Sequence, residues 1–423
     1  FAAGFEYRKL DGFYRPDALT VAGEYNGVTS RPTSGEYDVT EYFLELNAPI
    51  YEAGSSRLDL SVAGRYSDYS TFGGETTGKL GLRWQLGETF LIRGTFAEGF
   101  RTPSIGELFG SASRFDAELS DPCLISVTGA PPTANCSAFG VPAGAQQANT
   151  QISITTGGNP NLDPERVDST SAGFVWSPAF ASDTGWSERL DIEFSWYRHE
   201  LEGAIQAIDA QTQLNLCVAA GPSSPFCDGI SRASTGGINA FNNRLVNLGF
   251  IETDGYDVDV FWTLPQTDLG QFRVSWQNTF VDDYTAVGAN GVVQPRQVGR
   301  ELNDSAIPEW TSNLALDWTY GDFSLRWTTR FIDSLTESCG DAADFEVCRN
   351  PAPFSNPLGS TTYHDLQFGW QAPWLEGTQL TLGVNNVFEK QAPLCLSCSL
   401  NGYDASTYDL PERFIYGKVE VRF

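Results

Sequence analysis

The residues able to carry chemistry are few, and they are grouped. Eight cysteines form four pairs close in sequence: Cys123 with Cys136, Cys217 with Cys227, Cys339 with Cys348, and Cys395 with Cys398. Even, local pairing of this kind fits disulfides made in an oxidising compartment. Cys395-Leu396-Ser397-Cys398 also has redox or zinc spacing. Zinc would need a second ligand pair nearby, and that segment holds no histidine, so a local disulfide is expected. There are two histidines, His199 beside Glu200 and His364. A hydrolytic triad needs nucleophile, base and carboxylate to converge. Neither histidine has a nucleophile motif nearby, and no Gly-x-Ser-x-Gly occurs. Asp341, Asp344 and Glu346 lie between Cys339 and Cys348 and offer hard oxygen ligands, without the spaced pattern of a calcium loop. Asp191 with Glu193, and Asp257 with Asp259, put carboxylates on one face of a strand. They read as the lining of a polar wall beside Arg65, Arg83, Arg93, Arg273, Arg326 and Arg330. No catalytic, cofactor-binding or metal-binding residue is assigned.

The elements that would position these groups are strands. Ile415, Gly417, Val419, Val421 and Phe423 fall on one face of the last segment, and Tyr416, Lys418, Glu420 and Arg422 on the other. The same alternation recurs near 1–14, 37–50, 57–69, 77–87, 88–100, 167–178, 186–204, 243–264, 270–285, 308–320, 322–336, 361–373, 377–390 and 412–423. Apolar and aromatic residues oppose charged ones on strand after strand. That is the pattern of a transmembrane antiparallel β-barrel, with lipid outside and a polar lumen. The 423 residues contain no apolar run long enough for a membrane helix. A membrane-spanning reading therefore requires strands whose pairing satisfies every backbone group. The net charge of −27 argues against nucleic acid as a partner.

Connection lengths supply a second signal. Links at 48–55, 86–88, 177–186, 264–270, 320–322 and 371–377 are short. Those at 15–36, 101–166, 205–242, 286–307, 337–360 and 391–411 are long, and the link at 70–76 is the one short member of the alternate set. Short periplasmic turns and long extracellular loops are the asymmetry of outer-membrane barrels. It puts Phe423 at the periplasmic end and all eight cysteines in outer loops, where ligands are captured.

Specific segments carry a resemblance. Phe96-Ala97-Glu98-Gly99-Phe100-Arg101-Thr102-Pro103-Ser104-Ile105-Gly106-Glu107-Leu108-Phe109 is similar to a stretch of TonB-dependent outer-membrane receptors. So is Gly158-Asn159-Pro160-Asn161-Leu162-Asp163-Pro164-Glu165, which in that family re-enters the barrel after a large loop. Gly383 to Phe388 resembles the penultimate strand and Arg413 to Phe423 the last. In the first stretch Arg101 and Glu107 read as anchors of the corner between strand and loop. Tyr416, Val421 and Phe423 resemble the signal such barrels present to the barrel assembly machinery.

The resemblance implies a 22-stranded barrel with a plugged lumen. It also implies contact with outer-membrane lipid, a TonB energy-coupling protein gripping the plug, and TonB-dependent active uptake of a ferric siderophore, a cobalamin or an oligosaccharide. The plug is not found in this chain, which reads as a single barrel domain over 1–423 that is N-terminally incomplete. About fourteen strands admit three accounts: a fragment of such a barrel (the favoured one), an incomplete strand count, or a smaller barrel. The third would be a passive 14-stranded diffusion channel for small or hydrophobic compounds, and an outer-membrane hydrolase has least support.

Overall fold

The computed structural model describes the chain apart from residues 25–30, 135, 289–295, 303, 339–348, 351–354, 376, 399–401, 410–411 and 423. Cys339 with Cys348, the acidic trio Asp341, Asp344 and Glu346, and Phe423 thus lie outside the described residues. Fourteen strands form one antiparallel sheet in sequence order. They are β1 (Ala2–Tyr14), β2 (Thr33–Ala53), β3 (Ser56–Tyr69), β4 (Gly73–Leu86), β5 (Phe90–Arg101), β6 (Glu165–Trp176) and β7 (Arg189–Glu202). There follow β8 (Phe250–Thr263), β9 (Gln271–Val287), β10 (Trp310–Tyr320), β11 (Phe323–Ile332), β12 (Thr361–Gln371), β13 (Thr378–Asn385) and β14 (Phe414–Val421).

Alternation gives the wall two unlike faces. Leu44, Val62, Leu80, Leu82, Trp84, Ile92, Leu316, Leu382 and Val419 stand exposed on one face. In water such an apolar surface would be costly; against lipid tails it is the expected solution. Phe90, Phe174, Phe194, Tyr256, Phe280, Trp310 and Phe331 run across this face as a chain of rings, each 4.5–5.9 Å from the next. The other face carries charge in matched pairs. Glu41 receives Arg8 at 2.7 Å and Arg65 at 3.5 Å, Arg93 faces Glu193 at 3.5 Å, and Arg326 meets Asp317 at 2.9 Å. Two polar side chains on the apolar face are satisfied by indoles: Trp276 donates to Ser312 at 2.9 Å and Trp310 to Asn278 at 3.2 Å.

Among the described residues β1 and β14 do not pair with each other, so the sheet is open at both edges. A passive channel closed by these fourteen strands alone is not what the pairing gives. One end of the wall has short turns, such as Gly54-Ser55, where Gly54 takes φ +59°. The other end carries the segments 102–164, 203–249, 288–309, 333–360 and 386–413. The buried apolar clusters belong to these segments more than to the wall. One gathers Leu119, Ile154, Ala210, Leu214 and Phe241. The other gathers Ile332, Leu335, Leu358, Tyr363, Cys395, Tyr403 and Tyr408.

Several expected boundaries move. The segment expected as one strand over 322–336 splits. Asp333 accepts its own neighbour's Ser334 N–H at 2.6 Å, which competes with the ladder. Leu335–Ser338 then leaves the wall and joins Ser355–Leu358 and Arg300–Glu301 in a four-stranded loop sheet completed by Ala306–Ile307. The strand expected from 243 begins at Phe250, because Gly249 at φ +110° breaks it from Leu245–Asn247. The strand expected to reach 390 stops at Asn385, where Asn386 and Glu389 adopt φ of 52° and 54°. The expected link 70–76 shrinks to 70–72 as β4 begins at Gly73.

Candidate functional site

The long-loop end is where the sequence concentrates its unusual residues, and it is built from the wall upward. Arg101 closes β5 and Glu165 opens β6, and the two are register partners. Arg101 Nε donates to Glu165 at 2.6 Å, while its other nitrogens fork onto Glu107 at 2.9 and 3.0 Å. Glu107 also completes a capping box with Ser104 on the short helix Ile105–Phe109. Burial opposes ionisation of Glu107. The guanidinium and the Ser104 donors outweigh it, so the carboxyl titrates below its ordinary range.

The two family-like stretches meet here. Asn159 N–H donates to the Glu107 carbonyl at 2.8 Å and Gly158 N–H to Gly110 at 2.9 Å. A Cβ at Gly158 would lie 2.9 Å from the Glu107 carbonyl oxygen, so only glycine permits the approach. Pro103, Leu162 and Pro164 are buried, Pro160 is exposed, and Phe100 sets its ring edge-on to Tyr69 at 6.0 Å. At the far end of the wall Tyr416 donates to Gln367 at 3.3 Å and Val421 is exposed on the apolar face.

Segments 102–164 and 203–249 fold together as one cap. The helix Ala210–Ala220 starts at Asp209, whose side chain accepts the Thr212 N–H at 2.8 Å. It buries Leu214 against Leu119, Ile154 and Phe241, and Cys217 bonds to Cys227 behind it. Cys123 bonds to Cys136 in the neighbouring segment. A buried fork joins the halves, with Arg232 donating to Asp121 at 2.6 and 3.0 Å. Glu165 accepts the Ile205 N–H at 2.7 Å, and Asn159 Nδ2 donates to the Leu245 carbonyl at 2.9 Å.

This cap carries an open cavity of about 690 Å³. Gln213, Asn159 and Asn247 line it but are engaged in holding backbone: Gln213 donates to Phe226, and Asn247 bridges Asp163 and Gly203. Asn161, Asp228, Asn242 and Arg244 also line it, and among the described residues their side chains form no hydrogen bond or ion pair. Phe226, Ile208 and Leu248 supply apolar wall. The cavity thus offers a free guanidinium, a free carboxylate and two free amides against an aromatic face. That is the composition of a pocket for a polar organic ligand with an anionic group.

The second cluster joins segments 288–309, 333–360 and 386–413. Cys395 bonds to Cys398. Glu337, fully buried, accepts Leu396 N–H at 2.8 Å, Ser397 N–H at 2.8 Å, Ser397 Oγ at 2.9 Å and Asn356 Nδ2 at 2.9 Å. One carboxylate therefore holds the turn that the disulfide closes.

The other titratable candidates stay in the wall. His199 contacts Ser169 at 2.9 Å and His364 contacts Thr329 at 3.1 Å, far apart in the sheet, and among the described residues no carboxylate completes a triad with either. Asp191 accepts from Ser177 and Arg189, and Asp257 from Thr279. Sequence reasoning missed the Arg232–Asp121 fork, the Glu337 turn and the cavity side chains. The fork and the turn join residues 111 and 59 positions apart, and no local spacing marks them or the cavity side chains. Asp209 before an apolar helix was the one readable signal.

The family described as "TonB dependent receptor-like, beta-barrel" matches residues 1–387. No curated protein matches the sequence. Among solved structures, a mutant ferric enterobactin receptor (PfeA) of Pseudomonas aeruginosa in complex with enterobactin superposes with a TM-score of 0.60 at 16% identity. It covers 99% of this chain and 51% of its own. The siderophore receptor PirA of Acinetobacter baumannii superposes with a TM-score of 0.56 at 15% identity, covering 92% of this chain and 46% of its own. At such identities the likeness is one of fold, and this chain spans about half the length of those structures. With the wall, its two faces and the family match in agreement, the chain belongs to the TonB-dependent receptor-like family of outer-membrane β-barrels.

Proposed function

We propose that this chain forms fourteen strands of the wall, and the attached outer loops, of a receptor that imports a ferric siderophore by TonB-dependent active uptake. The observation that carries the reading is the open fourteen-stranded wall, which matches the receptor family over residues 1–387. The structural neighbours PfeA, a ferric enterobactin receptor, and PirA, a siderophore receptor, support the ligand class. The cavity at Arg244 gives an otherwise acidic chain a local cation for an anionic chelate.

In this reading further strands complete the barrel at the edges of β1 and β14, and a plug fills the lumen against the paired charges of the inner face. The TonB coupling protein pulls on that plug. The barrel assembly machinery recognises the β14 end, with Tyr416 and Val421 on opposite faces, and lipid covers the apolar face. No covalent chemistry is required, and no cofactor is invoked. The test is uptake of iron-labelled siderophore by cells carrying the full-length receptor. Import should fall to background when the receptor gene or the inner-membrane proton gradient is removed. Import that survives loss of the gradient would sink active transport.

A further inference from the structure

The four-stranded loop sheet holds three carboxyl side chains away from water. Glu301 stands in register beside Glu337 on the neighbouring parallel strand, and the Asp404 side chain, from segment 386–413, lies within hydrogen-bonding reach of Glu301. Their residues are 3%, 0% and 0% exposed. Among the described residues none of the three pairs with lysine or arginine. Glu337 is fully supplied with donors.

The other two are only half supplied. Glu301 Oε1 accepts Asp304 N–H at 2.8 Å and Ser305 N–H at 3.2 Å. Asp404 Oδ1 accepts the Ser406 N–H and Oγ, both at 2.7 Å. Glu301 Oε2 and Asp404 Oδ2 are buried with no donor. Two bare anionic oxygens in one apolar pocket repel each other and have lost their hydration. One proton between them removes both faults, because it turns an unpartnered acceptor into a donor for the other.

We propose that Glu301 and Asp404 share a proton as a carboxylic acid–carboxylate pair, and that this pair is a pH-sensitive latch holding outer segment 386–413 onto the loop sheet. Ser406 Oγ, which also donates to the Asp304 carbonyl at 3.0 Å, ties the same two segments. The proton resides on Glu301. Burial pushes its carboxyl above the ordinary range and the charge of Asp404 adds to this. Burial opposes ionisation of Asp404 too, but the Thr407 and Ser406 donors overcome it and keep that carboxyl low.

Tyr408, packed beside the pair, is a phenol that burial pushes upward, so it stays neutral. Glu337 is saturated with hydrogen-bond donors, Arg330 is committed to Asp365 and Asp409, and Asp304 reaches Glu301 through its backbone N–H. A metal fits less well. One carboxylate oxygen of Glu301 lies within 4.8 Å of both Cys395 and Cys398 sulfurs. Those sulfurs are bonded to each other and are not thiolate ligands.

The latch is closed while Glu301 holds its proton. When pH rises through the folded value of Glu301, a second buried anion appears and segment 386–413 loosens. The test is hydrogen exchange over residues 386–409 in the full-length receptor in outer-membrane vesicles, from about pH 5 to about pH 9, corrected for intrinsic exchange. The wild type should lose about tenfold in protection toward the alkaline end. Glu301→Gln, which keeps a donor and carries no charge, should stay protected throughout, and Glu301→Ala should be loose at every pH. Flat protection in the wild type, or an unchanged pH profile in Glu301→Gln, overturns the latch. So does alkaline loosening that millimolar calcium reverses and a chelator restores, which would mark a cation site instead. The readout is loop protection and not transport, so it stands apart from the ligand reading above.

Discussion

Arg101 Nε lies 2.6 Å from Glu165 Oε2, and the two residues are opposite one another on the last rung between β5 and β6. The largest outer segment, 102–164, therefore leaves and re-enters the wall through one charged contact. Glu165 passes the constraint on by accepting the Ile205 N–H of the next segment. Glu165→Ala removes an acceptor for two elements at once and should cost about 1–2 kcal/mol locally. The value sits at the low end because Arg101 is half exposed and water screens it. Limited proteolysis of the full-length receptor should show faster cleavage in both 102–164 and 203–249, with the barrel itself intact. Cleavage confined to 102–164 would mean the two segments are not coupled through Glu165.

Acid should undo the same corner. The Glu107 carboxyl is held below its unfolded value, so its contribution is complete above the ordinary carboxyl pKa of about 4.3. It is lost as pH falls through the folded value, where the unfolded chain already binds the proton. Protection of segment 102–164 should hold from neutrality to about pH 5 and then decline. Glu107→Gln should flatten that decline while starting from a less protected state, because its fork with Arg101 is gone. An acid profile identical to wild type would show that another carboxylate governs the corner.

The wall was legible in the sequence because its cause is local. Each residue's face follows from its parity, so Leu80, Leu82 and Trp84 could be set against Arg83 with no knowledge of neighbours. The loop layer was not legible for the opposite reason. Arg232 and Asp121 meet across 111 residues, and Glu337 reaches Leu396 across 59. Nothing near either residue announces its partner. The splitting of 322–336 at Asp333 shows the boundary between the regimes, where a side chain's own backbone bond ends the alternation. The corner residues Arg101, Glu107 and Glu165 were found only by likeness to a family, with Arg101 and Glu107 expected as corner anchors, and the geometry adds the contacts that join the three.

The cavity of the cap offers the sharpest functional variants. Arg244 and Asp228 have no protein partner among the described residues, so replacing them should not disturb the fold. Arg244→Ala should weaken binding of an anionic chelate about tenfold, the loss of one charge-assisted hydrogen bond. Asp228→Ala should strengthen it or leave it unchanged, since a carboxylate repels an anion. Binding to the purified full-length receptor, followed by tryptophan fluorescence or calorimetry, separates these outcomes. If Asp228→Ala weakened binding and Arg244→Ala did not, the cavity would favour a cationic or polyhydroxylated ligand.

The assignment of lipid to one face of the wall can be tested with a single residue and its control. Leu80 pairs with Val62 on β3 and Phe96 on β5, and all three are exposed on the apolar face near the middle of β4. Thr95 sits one residue away on β5, pointing to the charged side beside Gly81. Leu80→Arg should cost about 2–4 kcal/mol, the depth-dependent cost of a guanidinium facing lipid at mid-membrane. Thr95→Arg adds the same charge to a face already lined by Arg93 and Glu193 and should be tolerated within about 0.5 kcal/mol. Folding yield into lipid vesicles, read from the mobility difference between folded and unfolded barrel on a gel, distinguishes the two. Equal yields would mean that the apolar face does not meet lipid, and a selective loss in Thr95→Arg would invert the wall.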